Sequence, residues 1–170
     1  MHPLLMVILS TLFAGLAMTL GAVIAHFEKI EEEWLEEEFR HGVMAFGGGA
    51  LLSAVALVLV PDGLDALNPM AASVWFLLGG IGFMLLDIYL KKINTPASQL
   101  AAMLSDFIPE SIALGAAFAT GSTSGFLLAG LITLQNIPEG FSAYRELSSA
   151  SAYKPYKIIV IFLSFLHTHL

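Results

Sequence analysis

Cysteine is absent from this chain, so it has neither a disulfide framework nor a thiolate metal site, and any metal it holds must be bound by oxygen or imidazole. Charge is scarce too. Only 12% of the 170 residues are charged and 57% are hydrophobic, whereas soluble domains are about a quarter charged. Basic residues are the scarcest charged type: seven, against 14 acidic ones, for a net charge of −7 that excludes nucleic acid as a natural partner. Half of the acidic residues fall within 28–38, which leaves most of the chain nearly uncharged. A water-soluble core does not fit this pattern. An all-α, polytopic membrane protein does.

A spanning helix needs about 20 mostly apolar residues. Six stretches approach that requirement, at roughly 3–26, 42–60, 71–90, 99–121, 125–144 and 156–170. The first lacks a basic n-region and outruns the apolar core of a signal peptide, so it reads as a transmembrane segment. The last is short for a span, which leads us to expect a chain that is part of a longer fold. Breaks are predicted at "PDGLDALNP", "KKINTPAS", "GSTSG" and "RELSSASAYKP". The seven basic residues, Lys29, Arg40, Lys91, Lys92, Arg145, Lys154 and Lys157, all follow segments one, three and five. The positive-inside rule then puts the N-terminus outside and these connections in the cytoplasm of a cell (inner) membrane protein.

Residues 27–41, "FEKIEEEWLEEEFRH", form an acidic cytoplasmic stretch with Phe27, Ile30 and Trp34 at helical spacing. It is expected to extend segment one or lead into segment two. A solvated acidic helix is one reading, and an antechamber that concentrates cations near a pathway is the other. The glycines of "AFGGGALLSA" and "LLGGIGF" point to close helix packing.

Asp106, Glu110 and Glu139 are the acidic residues deepest in apolar sequence; Asp87, just before Lys91 and Lys92, is more easily explained as interfacial. A charge at the centre of a bilayer costs about 2.5–3.5 kcal/mol on insertion scales. Three such charges are tolerable if they share a cation. Asp106 and Glu110 are four residues apart and face one side of segment four; Gln135 and Glu139 repeat the spacing on segment five. In an antiparallel hairpin turning inside "GSTSG", Asp106 matches Glu139 in depth and Glu110 matches Gln135. Pro109 and Pro138 cannot donate to the carbonyls of Ser105 and Leu134, so each bends its helix and frees an oxygen beside the carboxylates. Irregular backbone at that depth is tolerated where it lines a cavity. A kinked pair with protonated, hydrogen-bonded carboxylates is the structural alternative.

At "DFIPES" (106–111) and "QNIPEG" (135–140) the chain resembles the ZIP (Zrt/Irt-like) family of divalent metal transporters. That family has eight transmembrane helices and one or two metal ions between the fourth and fifth. The second motif matches closely. The first carries Asp106 where the family often has His and Phe107 where it often has Asn. The resemblance implies a primary metal site of Asp106, Glu110, Gln135 and Glu139, and a second site involving Asn136, for which Phe107 supplies no ligand. His167, in the sixth segment, is where some members add a ligand. The resemblance also implies no enzymatic activity, a divalent cation as cargo, the lipid bilayer as surroundings, and zinc ahead of iron, manganese or cadmium, although an all-oxygen donor set suits harder ions such as Mn²⁺. An intramembrane metalloenzyme and a non-transporting metal sensor stay open as other readings, as does a homodimer.

Overall fold

The computed structural model describes residues 3–28, 30, 32–93, 96–119, 124–150 and 157–160, and among them there is no strand. In chain order the described residues form α1 (Pro3–Phe27), α2 (Glu33–Ala54), α3 (Val60–Ala66), α4 (Pro69–Ile93), α5 (Pro96–Ala119) and α6 (Ser124–Ala150). A π turn, Val55–Leu59, joins α2 to α3 without a break.

Three helical runs are long and apolar enough to cross a membrane: Leu5–Phe27, Trp34–Ala66 and Pro69–Ile93. The other expected spans do not reach that standard within the described residues. From α5 comes a shorter apolar helix, Phe107–Ala119. The polar residues Gln135, Asn136, Glu139, Arg145 and Glu146 break the apolar run of α6, though not its helix. Of segment 156–170 only 157–160 is described, as helix.

Helix boundaries also differ from expectation, for local reasons. The acidic stretch leads into segment two: Glu28 and Ile30 lie in the linker, and helix begins at Glu33. "PDGLDALNP" does not break the chain at its proline. In α register Pro61 would leave the Leu57 carbonyl without a donor and press its ring against it. The π turn widens the helix just before Pro61, with the Val60 N–H reaching back five residues to the Val55 carbonyl. Helix then continues to Ala66. The true stop is extended Leu67, followed by Asn68, whose Oδ1 accepts from the Ala71 N–H at 2.9 Å and caps α4. At the other end of the chain, α6 runs past Tyr144 to Ala150, so Arg145 and Glu146 are helical residues.

The centre of the bundle is α6, which packs on α1, α2 and α5. Two apolar clusters hold it. One gathers Ala14, Ala54, Val58, Leu114, Phe118, Leu128 and Ile132, and the other Met18, Ala22, Ala25, Phe141, Tyr144, Leu147 and Ile158. The crossing of α1 over α6 brings backbone against backbone. A methyl built on Gly21 would land on the Ile137 carbonyl, and one on Gly140 would land on the Met18 carbonyl. Of the glycines in the two runs singled out in the sequence, Gly47 touches a neighbour, the Pro138 ring, whereas Gly48, Gly49, Gly79, Gly80 and Gly82 face open space. No residue of α4 is buried, and its Trp75, Phe76 and Leu77 are each more than 60% exposed. An apolar surface of that extent is foreign to a water-exposed monomer.

Candidate functional site

Between the two apolar clusters lies a polar layer made by the middle turns of α5 and α6. Its core is one contact: the Gln135 Nε2 donates to the Glu110 Oε1. These are the residues that an antiparallel α5–α6 hairpin puts at equal depth. Gln135 is 5% exposed, and its Oε1 has no hydrogen-bond partner. An orphaned buried acceptor costs about 1–3 kcal/mol. Turning the carboxamide over does not remove that cost, because it would set oxygen against a carboxylate oxygen. The arrangement therefore leaves one acceptor available to a cation or to water.

Glu110, Gln135 and Glu139 line the same cavity, of about 730 Å³, together with Pro109, Pro138 and Ser142. Apolar residues of α2, the π turn and α4 complete it, among them Met44, Leu59 and Phe83. Both motif prolines border it, so the proline-bearing turns and the carboxylates open on one space. Gly47, Gly48 and Gly80 line it as well. A side chain at Gly48 or Gly80 would project into free volume rather than against a neighbour. There glycine keeps the cavity open, which adds to the packing role expected of these runs.

Asp106 lies one helical turn before Glu110 on α5, and its side chain, like His167, is outside the described residues. Asn136 is placed differently from the other candidates. Fully buried on the α1 side of α6, it donates from Nδ2 to the Ala14 carbonyl at 3.0 Å and does not line the cavity. Neighbouring positions on a helix diverge by about 100°, and here Asn136 turns to α1 while Gln135 turns to the cavity. Phe107, half-buried on α5, offers no ligand atom. No group of three or more His, Cys, Asp or Glu side chains positioned for a metal occurs among the described residues. Among the described residues Glu110 and Glu139 are the acidic side chains of the cavity wall, and the Gln135 carboxamide and Ser142 hydroxyl add neutral oxygens.

Sequence reasoning missed a second polar centre, at the end of the bundle where α1 gives way to α2. Arg145 of α6 donates from Nη2 to Glu28 of the linker and from Nη1 to Glu36 of α2. Its guanidinium also sits over the Phe141 ring, 5.5 Å from the centroid. Beside it the Tyr144 hydroxyl and the His26 Nδ1 are 2.6 Å apart. The signal that was available is the excess of glutamate facing a helix with a single arginine. At the opposite end Ser124 donates to Asp62 at 2.9 Å, which ties the start of α6 to α3.

No protein-family model, curated protein or solved structure matches the chain.

Proposed function

We propose that this chain is a membrane-embedded carrier of divalent cations, of the kind its two Pro-Glu motifs resemble, with zinc as the favoured cargo. The observation that carries the proposal is the meeting of Glu110 and Gln135 across α5 and α6 in a cavity that Glu139 also lines. Two carboxylates and a buried carboxamide oxygen without a partner make a negative, oxygen-donating site. Apolar layers above and below it would oppose passage of a bare ion, as alternating access requires. The exposed apolar helices α1, α2 and α4 supply the lipid-facing surface, and six spans with the N-terminus outside remain the topology we propose.

Purified protein in liposomes loaded with a zinc-responsive dye tests the function. Saturable zinc entry is the expected result, and liposomes no leakier than empty ones would sink the proposal. Orientation is tested separately in cells. Cysteine at Asp65 should react with an impermeant thiol reagent added outside, and cysteine at Lys92 only after the membrane is opened. The reverse pattern would overturn the topology.

A further inference from the structure

Beyond the site, α6 continues a polar stripe towards its C-terminal end. Gln135, Glu139, Ser142 and Glu146 are spaced by four, three and four residues, the repeat that keeps side chains on one helix face. The first three line the cavity, with Ser142 half-buried. Glu146 is exposed, about 10 Å along the helix axis from Glu139 at 1.5 Å per residue.

Next to Glu146 stands Arg145, the single basic residue of α6. A guanidinium left free there would repel a cation approaching or leaving along the stripe. It is not left free. Glu28 and Glu36, from two different elements, engage its two terminal nitrogens, and Phe141 lies beneath it. Two carboxylates on one guanidinium leave the node with an excess negative charge, and the Glu146 carboxylate stands next to it in sequence. The pairing thus does more than neutralise: it turns the one positive position on α6 into part of a negative mouth.

Resting on the transport reading above, we propose that the cation passes between the Glu110–Gln135–Glu139 site and the acidic end of the bundle along this stripe. Ser142 and Glu146 are its next oxygen ligands, and Glu28 and Glu36 hold Arg145 off the route. A serine hydroxyl suits a partly hydrated divalent ion as a weak, transient oxygen ligand. The terminal carboxylate raises the local cation concentration where the ion enters or leaves water.

The test uses the full chain, with zinc alone as the probe, and reads two quantities: equilibrium zinc affinity in detergent and the rate of zinc entry into liposomes. Glu146→Gln should leave affinity in place and slow entry about ten-fold, the scale on which local fields alter ion access, and Ser142→Ala should also slow entry. The pair Glu28→Gln with Glu36→Gln should slow entry as well. Adding Arg145→Gln to that pair should restore most of the rate, because the charge that blocks the route is then gone. Unchanged entry in Glu146→Gln overturns the proposal. So does failure of Arg145→Gln to rescue a folded acid-pair variant, which would make the node a structural clamp only. If the acid pair does not fold, the two single variants decide the matter. Absence of zinc binding in the unmodified protein would instead remove the site reading itself, and the route with it.

Discussion

Gly140→Leu will prevent α6 from seating on α1 and will leave little folded protein. The reason is local. Even a methyl at position 140 meets the Met18 carbonyl, and the reciprocal position, Gly21, meets the Ile137 carbonyl. Those neighbours are backbone atoms inside long helices, so they cannot turn aside as a side-chain tip would. Overpacking a core costs about 1–3 kcal/mol when side chains absorb the strain, occasionally more. Here two helices must separate along their crossing, and the buried residues Met18, Ala22 and Phe141 lose contact with it. Intrinsic helix propensity acts in the other direction, but replacing glycine gains only about 1 kcal/mol. The clash wins. Gly130→Ala, where a methyl has nothing within 4 Å, isolates the propensity effect and should hold or raise the melting temperature in detergent. Equal melting temperatures for Gly140→Leu and the unmodified protein would show that the crossing is looser than described.

That crossing also marks a limit of the sequence. Runs of glycine drew attention to 47–49 and 79–82, whereas the positions where backbones meet are the isolated Gly21 and Gly140. Gly140 was visible only as the end of a Pro-Glu-Gly motif. Which glycine faces a neighbouring helix depends on where two helices cross, and no single-helix pattern contains that. The π turn was hidden for a similar reason. Pro61-Asp62-Gly63 has the composition of a turn, but packing of Val58 against Leu114 and Leu128 keeps the helix intact and lets the backbone register absorb the proline.

The polar layer was legible because it depends on two short-range rules. Spacing by four residues sets Asp106 with Glu110 and Gln135 with Glu139, and the short connection between α5 and α6 requires antiparallel register. Together they pair Glu110 with Gln135, and the hydrogen bond joins those two. Asn136 lies apart from the cavity because its carboxamide is engaged by α1 at the Ala14 carbonyl, a contact that no spacing rule contains. Arg145 was not legible. Its fragment, "RELSSASAYKP", is composed like a connection, and its partners come from a linker and a helix more than 100 residues away.

The decisive substitution at the site is Glu110→Gln, because it separates charge from shape. A glutamine at 110 keeps the volume and can still accept from the Gln135 Nε2 through its own Oε1, so the α5–α6 contact survives. Only the negative charge is lost. If Glu110 were merely a hydrogen-bonded core residue, zinc affinity would not notice the change. For a cation site the loss is large. A pair of unit charges 4 Å apart is worth about 4 kcal/mol at an effective dielectric near 20, and the second charge of the cation doubles it. Desolvation of the carboxylate takes back part of that figure, which leaves an expected drop of at least ~100-fold in affinity, about 2.7 kcal/mol. Glu139→Gln should behave alike. Gln135→Ala removes a neutral ligand and should cost about ten-fold, near the ~1–3 kcal/mol of one lost polar contact. Stability should move in the opposite direction. With no metal present, Glu110→Gln removes a charge from a mostly apolar cavity and keeps the contact with Gln135, so it should hold or raise the melting temperature. A variant that folds at least as well as the original and no longer binds zinc identifies the carboxylate as a ligand. If Glu110→Gln binds zinc as tightly as the original protein, the polar layer is a structural kink pair, and the transport proposal falls with it.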